Sequence, residues 1–439
     1  MSAAVAEAPK ASAKRAREEV DSLQRLEPAV QHYAWGMTGG KGLVAEMSGK
    51  AELDKPYAEL WMGTHPSAPS KVKEEGGGSK DLSAFLEQYP AFAGGKIGQQ
   101  LPYLFKCLSV RCPLSIQAHP NKSLAEQLHA KDPKNYKDDN HKPELACAVS
   151  VFEGLCGFRP LEEISKHMSE VPELAAIVGK EAASGVTAAV GGSGDEQSKA
   201  LQAAFAALML ADEGKVKEEA ERLIERLKKT PEGDRTVADV VALSANDEFP
   251  GDVGLLSIYM LNIVKLQPGS AMFLKPNFPH AYLKGDCVEL MATSDNVVRA
   301  GFTPKFKDVS TLVTMLEYNP TSPELVEGKS EGPNVCMYAP SGTEFPEFAL
   351  RRVVLGDDSK DAYLCTSSCP RVILCVSGGA KAKTSPAKKD EDTGVKTSEM
   401  GMKPGDVVVC AADAVLEFSH TEGAGETLVF VSCCHPCFE

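Results

Sequence analysis

No apolar run long enough to cross a bilayer occurs anywhere in the 439 residues, and the opening MSAAVAEAPKASAKRAREEV carries charges where a secretory signal would carry an apolar core. Neither a membrane span nor an export signal is therefore expected. Excess positive charge is lacking as well. With 47 Lys and Arg against 61 Asp and Glu, the formal net charge is -14, which opposes nonspecific adhesion to nucleic acid or an anionic membrane. Any anionic substrate has to be caught by a local basic pocket. Also missing is a spaced cysteine framework. The 13 cysteines are odd in number and scattered through apolar segments, as at Cys107, Cys147, Cys287 and Cys410, which points to reduced buried thiols in the cytosol. A late cluster of Cys433, Cys434, His435 and Cys437 has too few separated ligands to enclose a metal and reads as a reduced, partly exposed strand end.

What is present is the composition of an ordinary globular chain, 43% hydrophobic and 25% charged, at a length that calls for two or three packed units. Residues 1–22, Ala-rich and charged without a sustained apolar face, read as a disordered tail. Residues 23–160 carry short apolar runs, glycines and turn formers and read as β structure. Within them Ser123 and Glu126 form a candidate capping box for a short helix after HPNK. From Leu161 to about residue 250 the period becomes helical, clearest at Val216, Ala220, Leu223 and Leu227, and an α-helical insertion is expected there. Residues 251–320 return to strands, and 321–439 form a further β region. The polar stretch from Ala380, AKAKTSPAKKDEDTG, reads as an exposed hairpin loop. LQPGSAMFLKPNFPHAYL from Leu266 and MKPGDVVVCAADAVLEF from Met402 echo each other, as the Pro-Gly turns and strands of the jelly-roll barrels called cupins do. Aligned on Pro268 and Pro404, His280 falls on Leu416, so a metal is expected in the first barrel and not the second. The fold expected is mainly β: cupin-type jelly-roll barrels with an inserted α-helical domain.

The candidate chemistry lies in four places. In PLSIQAHPNK, Gln117 and His119 are two apart on a strand and project to one face. In HKPELACAV, Glu144 opens a strand just past a proline, with Lys142 two residues earlier on the same face. His280 follows Pro279. Two imidazoles, a carboxylate and an amide oxygen suit zinc or another divalent first-row metal and leave room for a substrate oxygen. His65, His129 and His141 fall outside this set. YLKGDCVELMATSDNVVRAGFTPK then packs Tyr282, Glu289, Asp295, Arg299 and Lys305 close together where an apolar strand passes into polar groups, with Arg299 and Lys305 suited to a phosphate. An iron oxygenase of the same barrel class is the rival reading. It has no use for that cation pair, nor for a glutamine two residues before the first histidine.

YAWG at Tyr33, ELWMGTHP at Glu59, LSIQAHPNK, DDNHKPE, FEGLCGF, PNFPHAYL and GDCVELMATSDNVVRAGFTPK, in this order, resemble the type I mannose-6-phosphate isomerases over about residues 26–318. The resemblance implies a cytoplasmic, monomeric enzyme with one Zn²⁺ per chain that interconverts mannose 6-phosphate and fructose 6-phosphate and feeds GDP-mannose synthesis. Its partner is a small sugar phosphate, with no nucleic acid and no membrane. The family's ligands fall on Gln117, His119, Glu144 and His280. The roles expected are Lys142 as the base between C1 and C2, with Glu289 as a competing base and a phosphate anchor as the other use of Lys142, Asp295 with His119 for ring opening, and Arg299 for developing negative charge. Lys305 and Ser115 would hold the phosphate, with Tyr282 and Glu289 completing the substrate pocket.

Overall fold

The computed structural model describes residues 19–435 apart from 50, 75, 324, 359–360, 365 and 387–393. Most of the tail, the tip of the polar insertion and Cys437 thus lie outside the described residues.

An eleven-stranded sheet builds the half that carries the site, and its central element is the long strand His280–Ala292. Its second half is flanked by Tyr103–Val110 and Glu144–Ala148, whereas its first half pairs with Phe152–Phe158 and, at His280, with Gln117. The exchange of partners is centred on Gly285, whose φ of +112° suits only glycine and where a Cβ would lie 2.4 Å from the Val151 carbonyl. One strand thereby serves two directions of the sheet, and its first residue, His280, is buried beside Gln117.

Two further sheets form the second β region. A nine-stranded sheet centred on Thr427–Cys433 and Arg371–Ser377 faces a four-stranded one built on Ala414–His420 and Ala380–Pro386. Ile373, Val408, Val431, Leu416 and Phe418 fill the space between them, so the position that echoes His280 is an apolar core site. A separate core joins this region to the first, with Leu60, Phe105, Val288 and Leu290 packed with Leu350, Val372, Val409 and Phe430.

Helices from Leu161–Glu170 to Val237–Asn246 occupy the stretch read as helical. Glu213–Lys229 is amphipathic as expected. It buries Val216, Ala220, Leu223, Ile224 and Leu227, is capped by Asp212, and ends before Pro231 with Arg226, Lys228 and Lys229 in the last turn, where they complement the helix dipole. These helices share a core with Ile116, Ala118, Ala281 and Val298. Strand alternation thus sends Ile116 and Ala118 to the helical side and leaves Gln117 for the other face. Among the described residues no helix is long and apolar enough to cross a membrane.

The structure differs from the sequence reading at several points. Val20–Asp21 pairs with Val395–Lys396, and the buried Ser22 hydroxyl contacts Thr384 at 2.6 Å, so ordered chain begins inside the stretch read as tail. Leu23–Glu27 lies beside Val407–Cys410, in the sheet of the carboxy-terminal half. Alternation reveals a strand but not its partner. Leu43–Ser48, Leu82–Gln88 and Pro90–Ala93 are short helices within residues read as β. The helix after HPNK starts at Lys122 with Asn121 as its cap, whose side chain takes the Leu124 N–H at 2.9 Å, in place of Ser123. Ala380–Pro386 is a strand of alternating burial, with its lysines on the exposed face. Cys433 and Cys434 are buried, Cys433 with its sulfur 2.6 Å from Arg351 Nη1.

Candidate metal centre and its cavity

Across three adjacent strands His280 pairs with Gln117 and Gln117 with Arg299, and directly opposed residues share a face. Glu144 begins its own strand opposite Met291 and Leu274, while His119 follows Ile116–Ala118. One nitrogen or oxygen from each of His119, Glu144 and His280 lies within 4.8 Å of the others, all three residues buried.

Their hydrogen bonds decide what such a cluster can hold. His119 Nδ1 donates to the Asn296 carbonyl at 2.7 Å, and His280 Nδ1 donates to the Phe278 carbonyl at 2.9 Å. Each ring in its neutral form is left with a lone pair on Nε2. His119 Nε2 stands 3.3 Å from Glu144 Oε1 and His280 Nε2 3.4 Å from Glu144 Oε2. Burial pushes the His119 imidazolium down to about 4, so the ring is neutral at pH 7. Burial alone would lift the Glu144 carboxyl, but the adjacent Lys142 holds it well below its usual range. Buried acceptors that face one another without a proton between them, including a His119 Nε2 with no hydrogen-bond partner, fit a cation. Gln117 turns its amide nitrogen to His280 at 3.4 Å and accepts from Ser115 Oγ at 2.8 Å. A half-turn of that amide delivers its oxygen to the centre, and Ser115, whose hydroxyl also accepts, keeps its bond.

Beside the centre opens a cavity of about 750 Å³ lined by Ser115, Gln117, Lys142, Asp295, Arg299 and Lys305, among others. The structure brings these predicted residues together. Lys142 Nζ is 3.3 Å from Glu144 Oε1, with a side chain 11% exposed. Burial lowers the Arg299 pKa, and burial followed by Arg299 lowers that of Lys305, whose ammonium lies 5.7 Å from the centre of the Tyr33 ring. Tyr282 and Glu289 are not brought to the cavity. Tyr282 OH donates to Glu289 at 2.7 Å, and Lys106 Nζ meets the same carboxylate at 3.0 Å, the three buried behind the wall that Lys106 lines. The ring-opening role read for His119 also loses its footing, because Nδ1 is bonded and Nε2 faces Glu144. His129 and His141 stand apart, bonded to the Tyr136 carbonyl and to Glu347.

Lys106, Glu59 and Asp138 escaped the sequence reading. Lys106 had a signal, a lysine inside the apolar strand YLFKCLSV, whose eight residues are all buried. Glu59 accepts from Trp61 Nε1 at 2.5 Å and lines the cavity. Asp138 takes hydrogen bonds from Ser294 Oγ at 2.7 Å, the Asp295 N–H at 2.7 Å and Asn296 Nδ2 at 3.1 Å, so it fixes the loop that carries both Asp295 and the carbonyl bonded to His119.

A buried nitrogen and carboxylate bracket for a cation, joined through Gln117 and Lys142 to a cavity whose wall carries Arg299 and Lys305 among its charged groups, defines a metal-dependent enzyme with a place for an anionic substrate. Residues 23–161 match the phosphomannose isomerase type I catalytic domain and residues 177–261 its helical insertion domain. The chain is 38% identical to mannose-6-phosphate isomerase of Homo sapiens over 426 residues, covering 93% of this chain and 98% of that one. It is 40% identical to mannose-6-phosphate isomerase 2 of Arabidopsis thaliana over 385 residues, 84% and 86% of the two chains. Mannose 6-phosphate isomerase from Salmonella typhimurium, solved with its substrate fructose 6-phosphate and zinc bound, superposes with a TM-score of 0.77 at 30% identity, over 94% of this chain and all of that one. The chain belongs to the type I mannose-6-phosphate isomerase family.

Proposed function

We propose that the chain is a zinc-dependent aldose-ketose isomerase that interconverts D-mannose 6-phosphate and D-fructose 6-phosphate. The observation that carries this reading is the convergence of three buried acceptors, from His119, Glu144 and His280, behind Gln117 and Lys142, which line a cavity together with Arg299 and Lys305. Gln117 supplies the fourth ligand through its amide oxygen. Bound there, zinc would polarise the oxygens on C1 and C2 and offset the charge of an enediolate.

The reaction opens the sugar ring and then moves one proton between C2 and C1. Lys142 is the base, since its amine lines the cavity beside the ligand Glu144. Arg299, which lies opposite Gln117 in the sheet, would offset the negative charge that grows on the substrate oxygens. Lys305, next to the Tyr33 ring, holds the phosphate, with Ser115 on the same cavity wall. Asp295 moves the ring-opening proton.

The strand regions are read as two cupin-type jelly-roll barrels, the metal in the first, with residues 161–250 as the inserted helical domain. A cytoplasmic monomer that feeds GDP-mannose synthesis and binds neither nucleic acid nor membrane completes the assignment. The test is a coupled assay of purified zinc-loaded protein. Fructose 6-phosphate should form from mannose 6-phosphate and no fructose from unphosphorylated mannose. Failure to turn over the phosphorylated sugar would overturn the reading.

A further inference from the structure

His65 is a buried histidine that neither the metal nor the proton transfer at C2 uses. It follows the strand Glu59–Met62 within ELWMGTHP, is 4% exposed, and lines the cavity. Its ring stands edge-on to Trp61, with centroids 4.9 Å apart. The Ser67 N–H donates to Nδ1 at 3.3 Å, which leaves the ring proton on Nε2. Nε2 lies 3.5 Å from Asp295 Oδ1, and Lys137 Nζ lies 3.9 Å from Oδ2. Asp295 is itself 31% exposed on the cavity wall, its backbone N–H held by Asp138. A fixed tautomer aimed at a carboxylate that faces a substrate cavity has the geometry of an orienting partner, and such contacts commonly tighten once substrate binds.

We propose that His65 is a positioning residue that holds the Asp295 carboxylate in register with the ring oxygen and anomeric hydroxyl of the sugar, so that this pair, without His119, serves ring opening. The inference rests on the isomerase reading above. Ring opening breaks the bond from C1 to the ring oxygen and makes the C1 carbonyl. The anomeric hydroxyl loses its proton and the ring oxygen gains one. A single carboxylate that accepts the first and delivers the second balances the step without a further reactant. His65 keeps it pointed at both oxygens.

Two polar substitutions separate this role from a structural one. The oxygen of His65→Asn keeps the acceptor for the Ser67 N–H but its amide is too short to reach Asp295, whereas His65→Gln carries an N–H at the reach of Nε2. His65→Asn should lower kcat on the order of 10- to 100-fold, part of the 10²–10⁴ that a proton-transfer group supplies, with zinc content and KM unchanged. Because ring opening then limits the rate, the kinetic isotope effect on kcat with [2-²H]mannose 6-phosphate should fall toward unity. His65→Gln should recover most of the loss, and His65→Asn should cost nothing further on an Asp295→Asn background. An undiminished isotope effect, a Gln variant no better than Asn, or losses that multiply in the double variant would overturn the inference. An unaltered protein without activity would instead sink the isomerase reading itself.

Discussion

Replacing Lys142 by methionine removes an amine at little cost in volume, because both side chains are unbranched and flexible and the methionine fills the same slot beside Glu144. What disappears is a nitrogen 3.3 Å from Glu144 Oε1 on the cavity wall. A positioned acid-base group supplies about 10²–10⁴ in rate, or roughly 3–6 kcal/mol of barrier. The predicted loss therefore falls on kcat, by about 10²–10⁴, with KM within about threefold of its original value because Lys305 and Ser115 still hold the phosphate. Zinc content should stay at one per chain, since His119, His280 and Glu144 are untouched. The decisive assay follows exchange of the C2 hydrogen with solvent at saturating substrate, which reports proton abstraction whichever later step is slow. Exchange near the original rate would show that Lys142 is not the base. A tenfold rise in KM with kcat intact would make it a phosphate anchor.

Lys305→Met should do the converse, raising KM for the sugar phosphate by about 10-fold or more, as loss of a charge-assisted contact does, with kcat nearly kept. An unchanged KM would place the phosphate elsewhere. Gly157 has a φ of +69°, and a Cβ there would lie 2.4 Å from the Phe278 ring, whose backbone carbonyl fixes His280 Nδ1. Gly157→Ala should thus weaken zinc binding by about 10-fold or more through that carbonyl, measured by competition with a chelator, and unaltered affinity would contradict the link. In the zinc-free protein, His119 binds its proton near pH 4 when folded and near 6.5 when unfolded. Its stabilising contribution is complete above pH 6.5 and is lost as pH falls toward 4, on the order of 3 kcal/mol in all, and the depressed Glu144 acts in the same direction. The urea midpoint of the stripped protein should fall between pH 7.5 and 5, and a flat profile would refute the assignment of a neutral buried ring.

The three residues that converge were legible in the sequence because each lies beside a local signal: a two-residue strand period for His119, and a proline ahead of Glu144 and of His280. Helical periodicity marked the insertion just as plainly. Pairing across hundreds of residues was not legible. Nothing in LQRLE tells that Leu23–Glu27 adds to a strand near residue 408, since alternation is the same for either neighbour. Tyr282 and Glu289 were misplaced for a related reason. Their density in sequence suggested a pocket, but strand alternation and the partner Lys106 carry them into a buried ion cluster. Asp138 and His65 act through a loop and a tautomer, features that exist only once the chain is folded.

The central claim is that the bracket of His119, Glu144 and His280 holds the zinc on which isomerisation depends. Protein stripped by a chelator and titrated with Zn²⁺ should be inactive on mannose 6-phosphate at the start and regain full activity at one equivalent per chain, while Glu144→Gln protein should fail to recover at that stoichiometry. Full activity without metal, or recovery in the Glu144 variant equal to that of the unaltered chain, would contradict it.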